Sequence, residues 1–77
     1  MDLREEFIEG LRLIFKQGYS SELATKYAFD FYLKHKISDK DLYDIVEDIM
    51  IIDAGSEFEM TEGEIKKLVK EKLKINL

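Results

Sequence analysis

Apolar side chains recur every three or four residues in four successive segments of this 77-residue chain, which contains no proline. Such spacing places the apolar residues along one face of an α-helix, and proline is the residue that interrupts helices most strongly. No alternation of apolar and polar residues is long enough to indicate a strand. The sequence therefore predicts an all-α fold, a small single-domain four-helix bundle spanning residues 1–77.

Capping residues predict the ends of the first and fourth helices. The first helix is expected over residues 3–17, with Asp2 as its N-cap and Gly18 just beyond its last turn. The fourth helix is expected to begin after Thr61, with Glu64 three positions later completing a capping box. Because the connections between the helices are short, we expect an up-down arrangement in which neighbouring helices are antiparallel.

The second helix is expected to begin after Ser20 or Ser21 and to end near Lys36, and the third to run from Ser38 to Gly55. In the connection that follows, Phe58 is expected to fold back onto the core. The predicted inner face of the second helix comprises Leu23, Ala24, Tyr27, Ala28, Phe31 and Tyr32. That of the third helix comprises Leu42, Ile45, Val46, Ile49 and Ile52.

Charge is distributed unevenly along the chain. Residues 38–64 contain ten acidic residues and one base, Lys40, which gives a local charge of −9. Residues 65–77 contain five lysines and one glutamate, and the formal net charge of the whole chain is −5. Such polarisation creates a field that attracts a basic partner to the acidic part of the chain.

The outward face of the third helix is the predicted binding surface. Its carboxylates would steer a basic protein, and an apolar centre among them would be desolvated on binding. The residues assigned to this surface are Asp41, Tyr43, Asp44, Glu47, Asp48, Met50 and Ile51.

Two alternatives compete with this interpretation. The face can be merely solvated, with Met50 and Ile51 covered by the connection that contains Phe58. The lysine-rich fourth helix can also lie beside the third helix and neutralise its carboxylates.

Phe29 and Leu33 form a second apolar patch on the second helix, away from its main inner face. One interpretation is that the second helix is central and that its neighbours cover both sides of it. The other is an exposed patch for a partner or for a second copy of the chain, in which case the protein forms a homodimer or a larger assembly.

Residues 53–64 resemble a calcium-binding EF-hand loop, because twelve residues separate two helices and carry oxygen-bearing side chains. The sixth position, which needs glycine for a sharp turn, is instead Phe58, and the third position is Gly55. The resemblance implies at most a degenerate cation module. Its first, fifth, ninth and twelfth positions are Asp53, Glu57, Thr61 and Glu64.

Other chemistry finds little support in the residues. His35 is the single histidine, and there is no cysteine and no glycine-rich phosphate loop, so we expect no enzyme activity, no metal and no cofactor. A nucleic-acid partner is not expected, because the net charge is negative and the helix best placed to read DNA is acidic. A membrane partner is not expected either. The start of the chain lacks the features of a signal peptide, which predicts a cytoplasmic protein.

The sequence thus predicts a non-catalytic, acidic protein-binding or regulatory protein that docks a basic protein through its third helix. A toxin or nuclease to be neutralised, as by an inhibitor, immunity or antidote protein, fits this surface. A DNA-binding protein whose basic groove is blocked also fits. The alternative is a structural or assembly protein that homo-oligomerises through Phe29 and Leu33.

Overall fold

The computed structural model describes residues 2–77, and the regular elements in that range are all helical. Two single-turn 3₁₀ helices, Ile52–Ala54 and Ser56–Phe58, connect the third and fourth α-helices. The prediction of a small all-α four-helix bundle is confirmed, whereas the up-down order and the single domain stay predictions. The α-helices are α1 (Leu3–Gln17), α2 (Ser21–Lys34), α3 (Lys40–Met50) and α4 (Glu62–Leu73).

The ends of α1 and α4 lie where the capping patterns predict them. The Asp2 carboxylate accepts a hydrogen bond from the backbone N–H of Glu5 at 2.9 Å, and Gly18 follows the last turn of α1 with a φ of 110°. Thr61 Oγ1 accepts from the N–H of Glu64 at 3.1 Å, while Glu64 Oε1 accepts from the N–H of Thr61 at 2.9 Å. These reciprocal bonds satisfy two N–H groups that the helix itself leaves without partners.

The start of α3 differs from the prediction by one residue. Asp39, not Ser38, is the N-cap, and its carboxylate accepts a hydrogen bond from the N–H of Leu42 at 3.3 Å. The same carboxylate accepts two hydrogen bonds from the guanidinium group of Arg4, one of them from Nη2 at 3.0 Å. Because an aspartate can cap the helix and pair with a base at once, it is preferred here over the adjacent serine.

The end of α3 also differs from the prediction. The helix stops at Met50 instead of continuing to Gly55. Its last turn contains Glu47 and Asp48 and no basic residue, and carboxylates near a helix C-terminus interact unfavourably with the helix dipole. Ile52 is nevertheless fully buried, because the first 3₁₀ turn carries it into the core.

All four helices contribute to one hydrophobic core, and no charged or polar side chain of residues 2–77 is buried in it. Among the same residues, no helix has both the length and the apolar character needed to cross a bilayer. The buried hydrophobic residues are Phe7, Ile8, Leu11, Ala24, Ala28, Phe31, Leu42, Ile45, Val46, Ile49, Ile52, Ile65, Val69 and Leu73.

An aromatic cluster joins α1 to α2. The ring of Phe7 stacks on Tyr27 at a centroid distance of 5.3 Å and meets Phe31 edge-on at 4.9 Å. The Tyr27 hydroxyl donates to the carbonyl oxygen of Phe7 at 3.0 Å. The Tyr27 ring lies directly over the backbone of Gly10, where a Cβ atom would be only 2.0 Å from the hydroxyl oxygen. Burial, followed by the charge of Glu6, raises the pKa of Tyr27 to about 12, so this hydroxyl remains a donor.

Three side chains predicted to face the core are exposed instead. Leu23 and Tyr32 flank an inner face of α2 that is narrower than predicted, because Ala24, Ala28 and Phe31 are its buried residues and Tyr27 packs against the core beside them. Phe58 is 41 % exposed, so it does not fold back onto the core. The 3₁₀ turn that contains Phe58 lies on the surface, and none of its residues is buried.

Candidate functional site

The acidic residues predicted to bind a partner lie on the outward face of α3. The opposite face is fixed in the core, since its four apolar side chains are fully buried. The helix therefore cannot rotate to hide its carboxylates. The four core residues are Leu42, Ile45, Val46 and Ile49.

Two of the predicted carboxylates have basic neighbours within the chain. Nη2 of Arg4 lies 3.9 Å from Oδ2 of Asp41. Nζ of Lys72, on α4, lies 3.5 Å from Oδ2 of Asp44. Within residues 2–77, the alternative in which α4 neutralises α3 is thus correct for Asp44 alone among the acids of α3. Both pairs are at least one-third exposed, so each contributes little to stability.

The last turn of α3 presents the two acids of this helix that form no ion pair within residues 2–77. Glu47 and Asp48 are exposed and belong to none of the ion pairs found among residues 2–77. Ile51, the C-cap of α3, follows them and is 43 % exposed. The alternative in which the Phe58 connection covers Ile51 is therefore wrong. Met50 is half-buried because it packs against the core, so it adds little to the outward surface.

Tyr43 lies where α3 meets α2. Its ring centroid is 6.0 Å from that of Tyr32, and Tyr43 is half-buried. Interaction with the Tyr32 hydroxyl, followed by the charge of Glu47, raises the pKa of Tyr43 above its usual value. Tyr43 is therefore neutral at physiological pH and offers a hydroxyl group beside the carboxylates of α3.

Phe29 and Leu33 are exposed on α2. Phe29 is 49 % exposed and Leu33 is 65 % exposed. The alternative in which neighbouring helices cover these side chains is wrong, because both side chains are about half exposed or more. The second predicted surface is therefore an exposed apolar patch.

In the segment that resembles an EF-hand loop, side-chain oxygen atoms form hydrogen bonds within the protein. Oδ1 of Asp53 accepts a hydrogen bond from Oγ of Ser21 at 3.3 Å, and Thr61 and Glu64 satisfy each other in the capping box. Within residues 2–77, no group of three or more histidine or carboxylate side chains is arranged to hold a metal ion. Nothing in this segment favours the cation module.

His35 contributes to the contact between α1 and α2. Its Nε2 atom lies 2.8 Å from Oε2 of Glu6, and its ring centroid is 4.4 Å from that of Phe31. His35 is also the C-cap of α2. These contacts give the single histidine a structural role at the end of the helix.

Tyr32 is the residue that sequence reasoning missed. It was predicted to face the core, but its exposed ring contacts Tyr43 and thereby connects the two predicted surfaces. Tyr32 is three positions after Phe29, so the two side chains are neighbours on the outer side of α2. On a helical wheel Tyr32 lies between the inner face and Phe29, and this position at the edge of the inner face indicates that it can be exposed.

Comparison of the chain with protein-family models, with curated proteins and with solved structures gives no match. Its function has to be inferred from its own residues.

Proposed function

We propose that this chain is a non-catalytic protein-binding or regulatory protein that docks a basic protein through the outward face of α3. The observation that supports this function best is the exposed end of α3. There Glu47 and Asp48 belong to none of the ion pairs among residues 2–77 and lie beside the exposed Ile51. Carboxylates around an aliphatic side chain combine electrostatic steering with a centre that can be desolvated.

The internal ion pairs favour a centre of this surface in the second half of α3. Asp41 and Asp44 form ion pairs with Arg4 and Lys72, so their carboxylates are less available to a partner. A basic toxin, a nuclease, or a DNA-binding protein whose groove is blocked has the matching chemistry. Nucleic acid and membrane surfaces do not, since their negative charge is repelled by the same carboxylates.

Neutralising the unpaired carboxylates tests this proposal. In the double variant Glu47→Gln with Asp48→Asn, capture of the basic partner from a cell extract is expected to fall about tenfold at low salt. The wild-type protein should lose the same partner as salt rises, because added ions screen exposed charges over about 10 Å at 0.1 M. The captured protein is identified by mass spectrometry, purified, and titrated against both proteins.

The matched control is Glu57→Gln with Glu59→Gln, which removes the same charge from exposed positions outside α3. Equal loss of binding in the control and in the α3 variant would mean that the net charge of the protein, and not this surface, determines the binding. Capture that is insensitive to both salt and the α3 variant would refute the proposed function.

A second candidate function rests on the exposure of Phe29 and Leu33. In this alternative the chain is a structural or assembly protein that forms a homodimer or larger species through these side chains. Burying them between two copies would contribute about 25 cal/mol for each Å² of apolar area.

For this alternative, Phe29→Asp is expected to convert an assembly that persists at high salt into monomers. Sedimentation velocity at micromolar concentration measures the change, and circular dichroism verifies that the variant remains helical. A sedimentation coefficient shared by the wild type and a folded variant would exclude the interface.

A further inference from the structure

α2 and α3 lie against each other in antiparallel register. Near one end of their contact, Oγ1 of Thr25 donates to the carbonyl oxygen of Ile49 at 3.3 Å. Near the other end, the rings of Tyr32 and Tyr43 meet. Phe29 is four positions after Thr25 and three before Tyr32, so all three share one side of α2. Phe29 therefore lies along the line where the two helices meet, which we term the seam.

The seam has an apolar side and an acidic side. On α2, Phe29, Tyr32 and Leu33 are exposed, and Tyr32 and Leu33 follow Phe29 by three and four positions, so helical spacing places them in one apolar strip. On α3, Tyr43 contacts this strip, and Glu47 is one turn further along the same helix. The charge of Glu47 reaches Tyr43, because it contributes to raising the pKa of that hydroxyl. An apolar strip and the unpaired carboxylate of Glu47 thus border the same surface.

We propose that the partner docks along the seam as one amphipathic helix, with apolar side chains on Phe29, Tyr32 and Leu33 and with lysine or arginine toward Glu47. This inference rests on the proposed function and specifies the form of the partner. The seam from residue 25 to residue 33 is about 12 Å long at 1.5 Å per residue, which matches about two turns of a docked helix.

Charge complementarity favours this occupant over a second copy of the chain. A second copy has the same formal net charge of −5. Its surplus of lysine lies on α4, whereas a symmetric contact would present the same α2 and α3 surfaces from both sides. A helix with a basic edge supplies positive charge opposite the unpaired carboxylate of Glu47.

Synthetic peptides of about 14 residues test the inference with the full chain. One peptide has a leucine stripe with lysines along one edge, a second has glutamates in place of the lysines, and a third is a scrambled version of the first. Binding is measured by fluorescence anisotropy. We expect the first peptide to bind, and the second and third to bind at least tenfold more weakly, because only the first matches both sides of the seam.

Protein variants locate the site. Phe29→Ser with Leu33→Ser is expected to weaken binding of the basic peptide at least tenfold. Leu13→Ser is the matched control, because Leu13 is 59 % exposed on α1 and lies outside the seam. Since these side chains are exposed, the variants should fold, and thermal unfolding followed by circular dichroism verifies this.

The outcomes separate this inference from the function on which it rests. Suppose that Glu47→Gln with Asp48→Asn weakens binding of the basic peptide but the Phe29 and Leu33 variant does not. Docking along the seam would then be refuted, and the proposed binding to the acidic surface would remain supported. If the scrambled peptide binds as well as the striped one, or if the striped peptide does not bind, a docked amphipathic helix is refuted. Wild-type dimers that dissociate in the Phe29 and Leu33 variant would assign the seam to a second copy and also overturn it.

Discussion

Gly10→Ala is expected to lower the free energy of unfolding by about 2 kcal/mol, although alanine is the better helix former. Alanine gains about 1 kcal/mol over glycine in a helix interior. The new Cβ atom would lie 2.0 Å from the hydroxyl oxygen of Tyr27 and 2.2 Å from the ring carbon that carries it. The ring must therefore move, which disturbs its stacking on Phe7 and its hydrogen bond to the Phe7 carbonyl. Overpacking of this kind costs about 1–3 kcal/mol before the lost hydrogen bond is counted.

Urea unfolding followed by circular dichroism measures the effect, and Gly63→Ala is its matched control. A Cβ atom at Gly63, in the first turn of α4, meets nothing closer than 3.9 Å. Gly63→Ala should therefore stabilise the protein by up to about 1 kcal/mol. In a Tyr27→Leu background, the cost of Gly10→Ala should largely disappear. A Gly10→Ala variant as stable as Gly63→Ala would contradict the packing of the Tyr27 ring directly on the backbone of Gly10.

The features that sequence reasoning could establish are those decided within a few residues. The caps of α1 and α4 are examples, since Asp2 bonds to Glu5 and Thr61 to Glu64, each three positions apart. The buried stripe of α3 was predictable for the same reason, because it follows from helical spacing alone.

Features decided by contacts between helices were beyond the sequence. The choice of Asp39 over Ser38 as the N-cap of α3 involves Arg4, which is 35 positions away. The exposure of Phe29 and Tyr32 depends on which sides of α2 the neighbouring helices cover. The spacing of apolar residues along α2 does not show how many helices pack against it. The acidic site was predictable as a set of residues on one face. Its division into paired and unpaired carboxylates required the positions of Arg4 and Lys72.

Asp39→Ala is expected to lower the free energy of unfolding by about 2 kcal/mol. About 1 kcal/mol follows from losing the N-cap of α3, whose carboxylate accepts from the N–H of Leu42. The remainder, up to about 1 kcal/mol, follows from losing the ion pair with Arg4. This contribution is small because both side chains are partly exposed and solvent screens the pair. Urea unfolding at pH 7 measures the sum.

Asp2→Ala is the matched control for the cap alone. Asp2 caps α1 in the same way, but it belongs to none of the ion pairs among residues 2–77. It should therefore cost about 1 kcal/mol. In an Arg4→Gln background, Asp39→Ala should cost no more than this control. Equal losses for Asp2→Ala and Asp39→Ala in the wild-type background would show that the Arg4 pair adds nothing.

Asp39→Asn isolates the charge, since asparagine caps a helix about as well as aspartate. The Arg4 hydrogen bonds hold the pKa of the folded Asp39 carboxyl below its usual value, whereas the unfolded chain titrates at about 3.9. The charge therefore stabilises the fold fully above the unfolded pKa, and this contribution is lost as the pH falls through the folded pKa. Wild type should be more stable than Asp39→Asn at pH 6, and the difference should shrink below about pH 4. Equal stability of wild type and Asp39→Asn from pH 6 to pH 2 would mean that the carboxylate acts only as a cap and that its pair with Arg4 adds nothing to the stability of the fold.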